Sequence, residues 1–265
     1  MEVTLLGSGN TATVLGRRLV HAGHSVHQVY SRTMANAQVL ADELKAEAID
    51  DYKKINTTAD LYMLCLADSA LYSIEEQLRL PGKLVVHTAG SVPMKVLENI
   101  SNNYGIVYPL QTLRKELPKP PALTILVDAN NETNRNTLLD FARSFADQVE
   151  VASDEERSKL HLAAVIANNF SNYLFALAEE YCKKEKVDFQ LLIPLLEETA
   201  GRLRYASPAD VQTGPAIRND KATMEKHLQM LNEYPRLREV YGWFSEKISL
   251  VSNEKFGRWQ TADAR

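Results

Sequence analysis

Along the first half of the chain, short apolar runs alternate with stretches in which apolar side chains recur every three or four positions. The runs at 3–6, Ser25–Tyr30, 61–67, Leu84–His87 and 105–108 predict strands, with helices expected after Thr11 and from Ala35. Such alternation implies parallel strands joined by crossover helices. After the proline-rich stretch Pro118-Lys-Pro-Pro121, a run at 123–127, an amphipathic helix over 133–146 and a run at 149–151 extend the pattern. Strand signals then stop near Ala152. Ser153-Asp-Glu-Glu156 has the residue types of a capping box, and it opens a long helix. That helix carries Leu160, Ala163, Ala164, Ala167, Leu174, Leu177 and Ala178, a wide apolar face rich in small residues that suits the centre of a bundle. Further helices are expected over 188–202, kinked at Pro194, over 221–232 and over 235–248, with a loop at 207–220 and a loose polar tail over the last dozen residues. The predicted fold class is α/β: a doubly wound, mostly parallel sheet over residues 1–152, then an all-α helical-bundle domain over 153–265.

Length and composition fit that picture. At 265 residues, 45% apolar and 24% charged, the chain can bury a core in each of two domains. Thirty Lys and Arg against 34 Asp and Glu leave a net charge of −4, which argues against nucleic acid as a partner. The longest apolar runs fall short of the roughly 20 residues that a membrane-spanning helix needs. The opening residues lack the pattern of a secretory signal, so the cytoplasm is the expected compartment. Cys65 and Cys182 suit reduced, structural thiols. His21, His24 and His27 fall on a helix end, a turn and a strand, so no metal site is expected.

The first strand leads into Gly7-Ser8-Gly9-Asn10-Thr11-Ala12, which opens a helix. A dinucleotide fingerprint requires this context: Gly7 permits the tight turn, Gly9 lets the backbone approach a pyrophosphate, and Ala12 keeps the helix close to the strand. The second strand ends in Ser31-Arg32-Thr33, with no acid to accept from ribose hydroxyls. Arg32 can fork onto a phosphate dianion while Ser31 and Thr33 donate to it, favouring NADP over NAD. The alternative for Arg32 is a solvated loop charge. Ala67-Asp68 and His87-Thr88-Ala89 end further strands and should line the same crevice, as should Gln111 and Thr112 after Tyr108. Ala67 and Ala89 leave room for a ribose or nicotinamide, Asp68 and Thr88 stand beside them, and His87 is either a substrate contact or a satisfied core histidine.

In the second half, His161 and Asn168 stand seven residues apart and so return to the same side of a helix, with Asn172 continuing the stripe. Buried, these groups need partners, supplied by neighbouring helices or by a ligand. Arg218 lies in the loop Gln212-Thr-Gly-Pro-Ala-Ile-Arg218-Asn-Asp220, which suits either a binding loop or a plain turn with Asp220 as a helix cap.

With these motifs assembled, the chain resembles the Rossmann-like oxidoreductases that carry a C-terminal helical domain of unknown function 2520. The matching residues are Gly7-Ser-Gly9, His87-Thr-Ala-Gly-Ser91, Tyr108-Pro-Leu-Gln-Thr112, Leu160-His-Leu-Ala-Ala164, Asn168-Asn-Phe-Ser-Asn172, Pro194-Leu-Leu-Glu-Glu-Thr199 and Gln212-Thr-Gly-Pro-Ala216. More distantly it is similar to pyrroline-5-carboxylate reductases, 6-phosphogluconate and 3-hydroxyisobutyrate dehydrogenases and deazaflavin-dependent NADP reductases. The resemblance implies NADP-linked hydride transfer and a homodimer formed through the helical domain. One departure is visible: the hydroxyacid dehydrogenases place a Lys and an Asn four residues apart on this helix, whereas Lys159 is followed by Ala163 and Asn168 is preceded by Ala164.

The expected activity is hydride transfer between NADP and a small carbonyl or imine, with His161 donating a proton or orienting the substrate and Asn168 holding the polarised atom. His87, Gln111, Thr112, Asn172 and Arg218 are the expected substrate contacts. A nucleotide-binding sensor without turnover is the alternative from another class, and a deazaflavin-dependent NADP oxidoreductase is the alternative enzyme.

Overall fold

The computed structural model describes residues 1–117 and 121–262, so most of the proline-rich stretch lies outside the described residues. The chain forms two compact units, Met1–Asn169 and Phe170–Arg265. The first contains a sheet of eight strands among the described residues, in the order β3-β2-β1-β4-β5-β6-β7-β8. Strands β1 (Glu2–Leu6), β2 (Ser25–Tyr30), β3 (Glu47–Ile49), β4 (Leu61–Leu64), β5 (Leu84–His87) and β6 (Asn103–Pro109) run parallel. Strand β7 (Thr124–Ala129) is antiparallel to β6, and β8 (Gln148–Val151) is parallel to β7. Helices α1 (Asn10–His21), α2 (Met34–Leu44), α3 (Asp68–Leu71) and α4 (Glu132–Arg143) fill most of the connections.

Continuous apolar runs in β1 and β4 reflect burial on both faces, as a central parallel strand requires. One core cluster joins Leu5, Leu15, Leu40, Val86, Val107 and Phe141; a second joins Leu6, Tyr62, Leu64, Leu71, Ile74 and Leu97. The sheet is therefore doubly wound, as its strand order also indicates. Two details differ from expectation. β3 carried no clear apolar run and is only three residues long. β4 ends at Leu64 rather than 67, because Ala67 already serves as the extended N-cap of α3.

The capping box forms as read: Ser153 Oγ accepts from the Glu156 amide at 3.3 Å, and Glu156 Oε2 accepts from the Ser153 amide at 2.9 Å. It starts α5 (Asp154–Ala164), which passes into a π-helical turn at Val165–Phe170. The first unit runs on past 152 to Asn169, inside that turn. The expected bundle-centre burial is met at Leu177 but not on α5, where Leu160 and Ala163 are exposed.

In the second unit, α6 (Ser171–Lys184), α7 (Ile193–Arg202), α8 (Lys221–Met230) and α9 (Pro235–Ala262) are joined by short links and the 203–220 loop. Pro194 does not kink a helix. It stands in the first turn of α7, where its missing amide would have had no intrahelical acceptor anyway. Helix α9 extends to Ala262, and the end of the expected polar tail, 263–265, lies outside the described residues. Asp220 caps α8 by accepting from the Thr223 amide at 3.1 Å, and His227 Nδ1 and Tyr241 Oη, 2.9 Å apart, tie α8 to α9. Among the described residues no helix is long and apolar enough to cross a membrane, and no cluster of His, Cys, Asp or Glu could hold a metal ion.

Candidate functional site

Gly7 adopts φ +130°, and a Cβ built on it would lie 2.2 Å from the Cys65 carbonyl oxygen, so the turn from β1 into α1 demands glycine. Gly9 faces open space and caps α1 without any side-chain hydrogen bond. The first intrahelical bond runs from Thr13 N to Gly9 O at 2.9 Å, which leaves the amides of Asn10, Thr11 and Ala12 free of intrahelical acceptors. Those donors at a helix start, beside a backbone with no side chain in the way, fit an anionic diphosphate. Ala12 is fully buried against the sheet. A groove of about 670 Å³ opens beside the turn, lined by Ser8, Gly9, Arg17, Asn36 and Lys115 among others. Lys115, which the sequence did not mark, donates its amide to Asn10 Oδ1 at 3.4 Å and accepts from Arg17 at 2.7 Å.

At the end of β2, Ser31 is half-buried and its amide donates to Ile49 O at 3.1 Å, while Arg32 and Thr33 are exposed. Arg32 has no ion-pair partner among the described residues. At the end of β4, Ala67 is exposed and Asp68 accepts from Ser91 Oγ at 2.6 Å, which joins two strand ends. Ala89 is buried beneath them.

A second cavity, of about 540 Å³ and wholly within the first unit, brings Thr11, Thr88, Gln111, Thr112, His161 and Asn168 together. Asn168 Nδ2 donates to Thr112 Oγ1 at 2.6 Å. Ala164, Val165, Asn168 and Asn169, at the junction of α5 and the π turn, line the cavity together. Tyr108, read from the sequence only as the end of a strand, also lines it, and its Oη lies 3.0 Å from His161 Nδ1. Burial raises the Tyr108 pKa above the ordinary phenol value, with Arg157 pulling it down and Asp68 pushing it up.

The surroundings of His87 suit the core one of its two readings. It is fully buried at the end of a strand covered on both faces and does not line the cavity. Its Nδ1 accepts from the Ala89 amide at 3.2 Å, so it shapes the β5 turn. Burial, helped by the Arg157 cation, lowers its pKa to about 4. Asn172 and Arg218 belong to the second unit, where both are exposed.

Arg157 is the principal residue that sequence reading missed. Fully buried, it pairs with Asp154 at 2.7 Å and donates to the carbonyls of Gly90, at 3.2 Å, and Val92. Asp154 in turn accepts from the Met94 amide at 3.1 Å. Helix α5 is thereby clamped to the loop after β5, and His161 follows Arg157 by one turn on the same face. The Asp154–Arg157 spacing was a visible signal, though it reads equally as a surface ion pair.

Two family models match. Residues 2–90 match NADP oxidoreductase coenzyme F420-dependent, and 123–248 match the domain of unknown function DUF2520. The first match stops before Tyr108 and His161. Among curated proteins, 87 residues are 39% identical to glutamyl-tRNA reductase of Marinomonas sp. (strain MWYL1), a stretch covering 33% of this chain and 19% of that one. This chain therefore spans about a fifth of that relative's length. A reductive aminase from Aspergillus terreus, solved with NADPH and ethyl-5-oxohexanoate, shares the fold at 18% identity and TM-score 0.66, over 94% of this chain and 97% of that one. A 1-pyrroline-5-carboxylate reductase from Streptococcus pyogenes does so at 11% identity and TM-score 0.64, over 94% and 98%. A Bacteroides fragilis protein described as a candidate NADP oxidoreductase is 37% identical, with TM-score 0.87, over 94% of this chain and 97% of that one. At that identity over nearly the whole of both chains, the protein belongs to the same family as the Bacteroides chain, in which a Rossmann-fold module of the NADP oxidoreductase type precedes the domain of unknown function 2520.

Proposed function

We propose that the protein is an NADP-dependent oxidoreductase acting on a small carbonyl or imine. The observation that carries this reading is the shared cavity: Thr11, from the first turn of the glycine-led helix, and Thr88 face the same space as Tyr108, His161 and Asn168. When bound, the nicotinamide supplies or accepts a hydride. Gly7, Ser8, Gly9, Asn10, Thr11 and Ala12 hold the diphosphate through backbone amides. Ser31, Arg32 and Thr33 hold the 2′-phosphate, and Ala67, Asp68, Thr88 and Ala89 flank the ribose and nicotinamide. His161 serves the proton, and Asn168, steadied by Thr112, holds the polarised atom of the substrate. Gln111 completes the pocket.

Calorimetry tests the cofactor reading. Removing the guanidinium in Arg32→Ala should weaken NADPH roughly tenfold to a hundredfold and leave NADH unchanged, the loss expected for charge-assisted hydrogen bonds to one phosphate. Equal loss for both nucleotides would sink the assignment of Arg32. NADPH oxidation over a panel of small ketones, oxo acids and imines tests turnover. Tight binding without turnover would favour the sensor.

The second unit supports a homodimer in the same proposal. Its buried apolar side chains among the described residues are Leu177, Cys182, Ala216 and Leu231, whereas Tyr173, Phe175, Leu195, Leu203 and Trp243 are exposed. An apolar surface of that kind marks an interface, and a second copy is the commonest occupant.

A further inference from the structure

We propose that Tyr108 hands the proton to the substrate in this cavity and that His161 restores it, the two forming a relay from solvent to the reacting atom. The proposal rests on the carbonyl or imine reading above.

The lining of the cavity narrows the choice of proton donor. It includes no Asp, Glu, Lys, Arg or Cys among the described residues; its hydroxyl and amide groups from Thr, Gln and Asn do not titrate near neutral pH, and Tyr108 and His161 remain. Their contact is built in. Oη and Nδ1 are 3.0 Å apart, with the rings edge to face at 77° and centroids 6.0 Å apart. Gly90 packs under both: a Cβ there would lie 2.5 Å from His161 Nδ1 and 3.0 Å from Tyr108 Cζ. The Gly90 carbonyl is held by buried Arg157, from the same helix as His161, which fixes the helix against the loop that underlies both rings.

A phenol suits the donating step because it stays protonated at neutral pH, but the phenolate it leaves must be refilled. An imidazole, which takes up a proton on one ring nitrogen and gives one from the other, can do so. His161 is half-exposed, whereas Tyr108 is buried. In the reducing direction the substrate carbon gains a hydride from a reduced nicotinamide, and its oxygen or nitrogen takes the Tyr108 proton as the phenol O–H bond breaks. The electron pair of that bond stays on Oη. The imidazolium of His161 then passes its Nδ1 proton to Oη, and the neutral imidazole regains one from water. One hydride and one solvent proton are consumed for each alcohol or amine formed. The charged groups acting on Tyr108 are Arg157 and Asp68.

Tyr108→Phe removes the donor and keeps the ring. It should lower kcat by about a hundredfold or more, the usual contribution of a positioned general acid, while NADPH affinity stays within about twofold. His161→Gln should cost less, and the double variant should be no slower than Tyr108→Phe, since relay members fail as a unit. Nitrogen-15 NMR of the cofactor-free protein reads the pair without turnover: Tyr108→Phe should shift the His161 Nδ1 resonance more than that of any other histidine. An unshifted resonance overturns the pairing. Turnover by Tyr108→Phe close to that of the parent, with His161→Gln inactive, overturns the relay and leaves the reductase reading intact. No turnover by the parent protein across the panel overturns both.

Discussion

The two units bury their apolar residues to different degrees. In the first, strands such as β1 and β4 are enclosed on both faces and two clusters fill the space above and below the sheet. In the second, helices of comparable length leave Tyr173, Phe175, Leu195, Leu203 and Trp243 in contact with solvent. A parallel sheet hides its backbone and side chains by construction, because every crossover returns a helix to its face. A helix hides only the stripe that a neighbour covers, so a helical unit with few neighbours depends on partners. The site residues that can be assigned from geometry accordingly lie on the self-sufficient unit.

A glycine-to-alanine substitution should act in opposite directions in the two units. Gly105 lies in β6, where a Cβ would meet the Asp128 carbonyl oxygen at 2.4 Å and Leu138 Cδ1 at 2.8 Å. Gly105→Ala should therefore destabilise the first unit by about 3 kcal/mol, as overpacking of a close core does, read as a lower urea midpoint. A comparable effect should come from acid. His87 has a folded pKa of about 4, below the ordinary imidazole value, so the unfolded chain binds its proton first as pH falls. The stability it confers is complete above about pH 6.5 and lost between there and about pH 4, on the order of 3 kcal/mol. His87→Leu should flatten that limb of the stability curve, and an unchanged acid limb would mean that the buried imidazole is not its source. The smallest expected effect has the opposite sign. Gly242 in α9 has nothing within 4 Å of its Cβ position, so Gly242→Ala should stabilise the second unit by about 0.5–1 kcal/mol through helix propensity and a less flexible unfolded chain. Sedimentation reads the association of the second unit. A concentration-dependent dimer is expected, dissociated by Phe175→Glu, and a monomer at all concentrations would leave the exposed face of α6 without its proposed cover.

Local features were the legible ones. The glycine turn and the Ser153 capping box are each specified by residues next to one another in sequence, and both formed where read. Direction and partnership were not legible. The run at 123–127 signals a strand, but nothing in its periodicity says that it runs against β6, and β3 is too short to show a period. His87 and Arg157 illustrate the limit for single side chains. A histidine ending an apolar strand reads equally as ligand or core, and an arginine three residues after an aspartate reads as a surface pair until the carbonyls of Gly90 and Val92 are seen above it. Tyr108 stands near the end of an apolar strand, and no local pattern signals its contact with His161, which stands 53 residues away. The π turn has no residue signature that separates it from α-helix.

The reversal of β7 has one more effect. A crossover between parallel neighbours must carry the chain from one rim of the sheet to the other, whereas the connection from Pro109 to Thr124 begins and ends on the same rim. Its length is thus free for another use, and part of it lies over the start of α1, where Lys115 meets Asn10 and Arg17. By turning one strand around, the fold gains an awning above its glycine turn without adding an element.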